Sequence, residues 1–150
     1  MKMFVGAFFA AILVLNSCSK IDYRDQFEGT YLLNVNGSFT VTIYGETYTE
    51  PISASNATLT LTKSSSSATS MIVSGYFNTE AEVSGNTIIF DPETTTETDE
   101  DITIIMTITH NSGTLSNNTL SFTSTIAGDA YYEGTSFPIT GNLNNVAYKQ

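Results

Sequence analysis

The chain has 150 residues, 15 of them acidic and 5 basic, for a net charge of −10 at neutral pH. Phosphate recognition needs clustered Lys and Arg, so this balance argues against a nucleic-acid partner and against peripheral binding to anionic lipid. One cysteine rules out an intramolecular disulfide, and one histidine beside it is too few ligands for a zinc site.

Met1-Lys2 gives a short positive start, and Met3 to Leu15 are thirteen apolar or small residues. That length suits the central region of a secretory signal and falls short of the roughly 20 residues of a membrane-spanning helix. The run ends in Leu15-Asn16-Ser17-Cys18, which holds the single cysteine. It resembles the lipobox of bacterial lipoproteins. The resemblance implies that residues 1–17 are a signal peptide removed before Cys18, and that Cys18 is acylated on its thiol and its new amino group. The alternative is an ordinary signal peptide that leaves Cys18 a free thiol. Each buried methylene contributes about 0.8 kcal/mol and one acyl chain anchors only marginally, whereas two or three on one residue hold a protein permanently. The expected partner is therefore a membrane, reached through Cys18. Ser19 is compatible with sorting to an outer membrane, with the domain facing the periplasm or the cell surface.

The mature chain of 133 residues carries 4 basic and 15 acidic residues, a net charge of −11. Residues 18–28 read as a lipidated tether, and 29–150 as one domain, large enough to bury roughly two-thirds of its unfolded surface. From Gly29 the hydrophobic period is two. Phe39, Val41 and Ile43 alternate with Thr40 and Thr42, and Leu59 and Leu61 with Thr58, Thr60 and Thr62. Ile102, Ile104, Met106 and Ile108 alternate with Thr103, Thr107 and Thr109, and Leu120, Phe122 and Ile126 with Ser121, Thr123 and Thr125. One apolar and one Thr-rich face is the pattern of antiparallel strands packed on a single side. Strands are expected near 29–35, 38–44, 47–53, 57–63, 70–77, 80–84, 86–90, 101–110, 113–116, 119–127 and 136–148, some of them merging. No useful amphipathic helix appears, so the chain is all-β.

Turns are expected at Asn36-Gly37, Gly45-Glu46, Ser84-Gly85-Asn86, Asn111-Ser112-Gly113 and Asn117-Asn118, where Gly and Asn tolerate positive φ. Val83–Phe90 (VSGNTIIF) is echoed by Leu115–Phe122 (LSNNTLSF), which fits two similar hairpins in one meander. Short strands joined by hairpins predict an antiparallel up-and-down barrel, with a β-sandwich as the alternative. Phe27-Glu28-Gly29-Thr30-Tyr31, the Val-Ser-Gly-Asn-Thr-Ile hairpin and the closing Ala147-Tyr148-Lys149 resemble small lipocalin-like (calycin) lipoproteins of the Bacteroides type. The resemblance implies a lipocalin-like barrel over most of 27–150, with Tyr31 in place of the Gly-x-Trp aromatic, and a ligand-binding role.

Candidate chemistry is sparse. His110 stands before a turn and reads as a surface residue; no Gly-x-Ser-x-Gly elbow accompanies it, so no hydrolase is implied. Asp91 to Asp101 holds six acids in eleven residues and reads as a solvated hairpin loop, with Glu97, Asp99 and Asp101 as candidate oxygen ligands for calcium. The tyrosines are the remaining feature. Tyr31, Tyr131 and Tyr132 are the candidate ligand-binding residues, the last two in a Gly-bounded loop, because exposed tyrosines stack on sugars and fill interfaces. No cofactor is implied. Two functions survive: a non-catalytic, lipid-anchored envelope binding module for a small apolar ligand or glycan, and an accessory envelope lipoprotein that acts through a protein partner. An open cavity favours the first, and a filled interior the second.

Overall fold

A computed structural model describes residues 21–99 and 101–150; residues 1–17, expected as a signal peptide, and Cys18 lie outside that range. Period-two alternation becomes ten antiparallel strands: β1 (Gly29–Ile43), β2 (Glu46–Lys63), β3 (Ser70–Gly75), β4 (Thr79–Ser84), β5 (Thr87–Phe90), β6 (Glu93–Asp99), β7 (Ile102–His110), β8 (Gly113–Ser116), β9 (Thr119–Tyr132) and β10 (Thr135–Lys149). They form one sheet in the order β10-β1-β2-β3-β4-β5-β8-β9-β7-β6, and β10 also pairs with β9. Eight strands (β1 to β5 and β8 to β10) thereby close into a ring, which leaves no free edge at that level. The expected all-β meander closes on itself.

The ring is complete only at one end. β5 and β6 behave as one strand interrupted at Asp91-Pro92, and β7 and β8 as one strand interrupted at Asn111-Ser112. β8 pairs with the start of β9 (Thr114↔Ser121), and β7 with the rest of it (His110↔Ser124 to Ile102↔Tyr132). β3 pairs with only the last part of β2, Leu59↔Gly75 to Lys63↔Met71, so among the described residues 46–57 pair with β1 on one side and with no strand on the other. β6 pairs with β7 alone. The short β3–β4 hairpin therefore leaves a notch in the wall above it, between β2 and β6.

The core fills the closed end. Tyr31, Leu33 and Val35 of β1, Leu59 and Leu61 of β2, Met71 of β3, Ile88 of β5, Leu120 of β9 and Ala147 of β10 are fully buried. Burying each large apolar side chain contributes about 1.5–3 kcal/mol. Residues 22–28, expected as a tether, instead cap this end. Asp22 caps a 3-10 turn over Tyr23–Gln26, and its carboxylate accepts from the Arg24 backbone N–H and guanidinium. Arg24 also donates to the carbonyls of Ser64 and Ser67 in the loop between β2 and β3, and to that of Ser70 at the start of β3. Lys63 pairs with Asp25. Phe27 is fully buried, and its carbonyl accepts from Tyr31 Oη at 2.7 Å. The cations that this stretch carries face its own carboxylates and the loop carbonyls.

Other boundaries moved for local reasons. Asn36-Gly37 is strand, not turn: β1 runs straight through it, paired on both sides. A Cβ on Gly37 would fall 2.1 Å from the Asn142 carbonyl oxygen, so glycine here answers a close approach of β10. The first hairpin turns at Tyr44-Gly45, both with positive φ, one residue earlier than expected. The Gly85-Asn86 and Asn117-Asn118 turns lie where the echo put them, and β5 and β8 bring the two echoed hairpins side by side. The acidic segment is not a loop, since residues 93–99 form β6. Tyr131 and Tyr132 end β9 and do not sit in a loop.

Candidate functional site

The notch exposes the inner face of the long strands. Phe39 and Val41 of β1, Ile52 and Ala54 of β2, Ile104, Met106 and Ile108 of β7 and Ala130 of β9 are only half-buried, although they point to the same side as the closed core. Where the open and closed ends meet lies a cavity of about 230 Å³. Its apolar walls come from Phe39, Ile52, Phe77, Met106, Ile108, Ile126 and Leu143, and its polar groups from Tyr76, Glu93, Thr95, His110 and Asn145. Glycines help to make the room. Gly128 pairs with Met106, and Gly141 with Ile126, beside the cavity-lining residues. A Cβ on Gly128 would meet the Ile105 carbonyl oxygen at 2.1 Å, so the strands pass too closely there for any side chain.

His110 is the unexpected member. It is buried, 7% exposed, and is not a surface residue before a turn. Even-numbered residues of β7 face inward, and the alternation Ile104, Met106, Ile108 continues to His110; that signal was present in the sequence, but the following Asn-Ser-Gly masked it. Phe77, at the tip of the β3–β4 hairpin, stacks on the imidazole with ring centroids 4.4 Å apart and planes at 24°. Phe90 and Phe122 pack their rings at 5.6 and 5.7 Å. The Ser124 hydroxyl lies 2.7 Å from His110 Nδ1 and accepts from Asn145 Nδ2 at 2.8 Å. His110 Nε2 is buried with no hydrogen-bond partner among the described residues. The aromatic shell strips water from the ring and lowers its pKa to about 4, so it is neutral at physiological pH. Ser124 is 1% exposed, and Asn145 contacts the serine rather than the imidazole. Among the described residues, no orienting group is hydrogen-bonded to the imidazole besides Ser124.

The sequence-derived candidates do not assemble. Tyr31 lies at the closed end, with its ring under Lys149 Nζ at 5.9 Å from the centroid; burial pushes its phenol up to about 12. Lys149 also donates to the Gln26 carbonyl at 2.8 Å, which ties the last strand to the N-terminal 3-10 turn. Tyr31 is part of that seal and is fully buried. Tyr131 and Tyr132 are at the opposite, open end, 39% and 40% exposed, with Tyr132 in register with Ile102 on the inward side. Tyr44 and Tyr48 stand near them at the same end, and Tyr44 packs edge-on against Phe137 at 5.3 Å. Glu97 and Asp99 are two residues apart on β6, and Asp101 is in the following turn. Among the described residues no group of three or more His, Cys, Asp or Glu side chains gathers as a metal site would require.

No protein-family model matches the chain, and no curated protein or solved structure is significantly similar to it.

Proposed function

We propose that the protein is a non-catalytic, lipid-anchored binding module of the bacterial cell envelope, whose half-open barrel takes a small apolar ligand. The observation that carries this reading is the cavity: an apolar pocket of about 230 Å³ above a packed core, with few polar groups, reached through a gap in the wall. Ligand sites have this make-up, a mostly apolar concavity with a small number of placed polar groups. The volume exceeds the roughly 150 Å³ that suffices for benzene and falls below the ~300–1,000 Å³ of drug-sized sites, so the occupant is small.

The anchor fits the same geometry. Ile21 and Asp22 lie against Arg24 and Ala68 at the closed end. Cys18 is three residues earlier in the chain, and three residues span at most about 11 Å. Lipid on Cys18 would hold the sealed end against the bilayer and turn the open end away from it. Replacing Cys18 with Ser should release the protein from the membrane and abolish labelling by palmitate; retained labelling rejects the anchor. For the binding reading, a chain starting at Ser19 is titrated with cyclohexanone and followed by NMR of side-chain methyls. Shifts should concentrate on Ile52, Met106 and Ile108. Shifts spread evenly over the surface, or none, would reject it.

One observation favours a second reading. Tyr44, Tyr48, Tyr131 and Tyr132 give the open end an aromatic rim, 81%, 53%, 39% and 40% exposed. Tyrosine is enriched where proteins meet partners, and the same rings stack on sugars. An accessory lipoprotein that holds a glycan or another envelope protein at this end is the alternative. Mutating the rim tyrosines would then abolish the interaction, while filling the cavity would not.

A further inference from the structure

We propose that the free edge of β6 takes an extended, lysine- or arginine-rich segment of another protein, which pairs with it as an added strand. This goes beyond the cavity reading and stands without it. β6 ends the sheet order and pairs with β7 alone, so among the described residues no strand meets its other side. Unpaired N–H and C=O groups on an edge are a ready template for another chain, and extended peptides are bound in this way. β6 is built to present them. Its register with β7 runs unbroken from Glu93↔Ile108 to Asp99↔Ile102, over 7 residues or about 23 Å. Thr94, Thr95, Thr96 and Thr98 are β-branched and suit an extended strand, and no proline interrupts it. The Thr94 hydroxyl lies 3.0 Å from that of Thr107, and the Thr98 hydroxyl 3.4 Å from that of Thr103, which holds β6 against β7. The opposite lip is a poorer template. β2 has Pro51, which lacks an N–H, and a register shift opposite Leu33 to Val35.

Charge selects the occupant. Glu93, Thr95, Glu97 and Asp99 alternate onto the inward face of β6, in register with Ile108, Met106, Ile104 and Ile102. Arg24, Lys63 and Lys149 are the cations of residues 21–150, and all three are engaged at the closed end. Arg24 pairs with Asp22, Lys63 with Asp25, and Lys149 donates to the Gln26 carbonyl. The acids of β6 therefore have no cationic partner among the described residues. A second copy of the chain is a poor occupant, because β6 against β6 would bring these carboxylates together, and like charges across a strand pair destabilise it. A basic segment reverses the sign. Side chains of an added strand stand about 4.5–5.5 Å from those of β6, so Lys or Arg reaches Glu93, Glu97 and Asp99. Their methylene stems would cover apolar surface at Ile104 and Met106, which are only half-buried.

The test titrates the chain starting at Ser19 with a capped peptide of alternating Lys and Val, matched to β6 in length. Amide NMR and hydrogen exchange report the site, and shifts with slowed exchange should concentrate on residues 93–99. A peptide of alternating Glu and Val should not bind. Glu93→Gln/Glu97→Gln/Asp99→Asn should weaken the Lys/Val peptide at least about threefold, the factor that three exposed ion pairs give. Glu80→Gln/Glu82→Gln, on the exposed face of β4, should leave it unchanged. Backbone N-methylation separates pairing from charge, since only alternate N–H groups of an added strand face β6. Methylating all the Lys nitrogens or all the Val nitrogens should abolish binding in one case and spare it in the other. Equal binding of the two methylated peptides, equal binding of the Glu/Val peptide, shifts centred away from β6, or no binding would overturn the proposal. Self-association of the chain that the triple variant removes would assign the edge to a second copy and overturn the choice of partner. None of these failures touches the cavity reading, which the cyclohexanone titration tests separately.

Discussion

His110 exchanges the solvation of a polar ring for stacking on Phe77, and the exchange has a measurable sign. Its pKa falls from 6.5 to about 4 through burial, so the unfolded chain takes up the proton first as pH drops. Stability from this group is therefore constant above pH 6.5, declines between 6.5 and 4, and is constant again below. A shift of that size corresponds to on the order of 3 kcal/mol. Urea unfolding of the wild type and of His110→Gln across this window should show the decline in the first and a flatter profile in the second. Parallel profiles would mean that the ring is not desolvated as described. Asp22 acts in a different window. Its hydrogen bonds with Arg24 hold the carboxyl far below the usual range, so its contribution is lost only as pH falls below about 4. His110 was legible as an inward residue from the alternation of β7. Its surroundings were not, because Ser124 lies 14 residues from His110 and Asn145 a further 21 beyond Ser124, and the three meet only when three strands align.

Strands differ in what they hold. β9 crosses from the closed end to the open one, so its two halves should respond differently to mutation from one another and from β7 beside it. Leu120, fully buried at the closed end, should lose about 2–5 kcal/mol on change to Ala, whereas Ile104, half-buried beside the notch, should lose about 1. Thermal or urea melts of the two variants settle this, and equal losses would place Ile104 in a packed core. The free edges of β2 and β6 are of the kind that invites aggregation, and both carry protection: Pro51 and a bulge near Asn56 on β2, and three acids on β6. Alternation marked β1, β2, β7 and β9 in the sequence because apolar residues face a core there. β6 was missed because the residues on its inward side are Glu93, Thr95, Glu97 and Asp99; it faces the notch, and a strand with no core to meet shows no hydrophobic period. The N-terminal cap was missed for a related reason. Arg24 satisfies carbonyls 40 to 46 residues away, and nothing local in its sequence says so. A chain starting at Gly29 should consequently melt well below one starting at Ser19, since it lacks Phe27 and the Arg24 contacts. Equal melting temperatures would restore 18–28 to the role of a tether.

At the scale of the molecule, one sheet does two jobs because its strands differ in length. Eight strands close around Tyr31, Leu59, Leu61 and Leu120 and supply the stability. The longest strands then run past the short β3–β4 hairpin and open into a trough. The meander was readable from turn spacing, whereas the gap was not: it depends on which part of β2 a six-residue β3 covers, a matter of register. The proposed function sits where these halves meet, at the cavity bounded by Phe77, Met106, Ile108 and His110. The most direct measurement is a crystal structure of the chain starting at Ser19, grown with saturating acetophenone. The account predicts one molecule in that cavity, its ring against Met106 and Ile108. A cavity closed by inward movement of Tyr76 or Phe77, with the compound absent or bound only at the tyrosine rim, would contradict it.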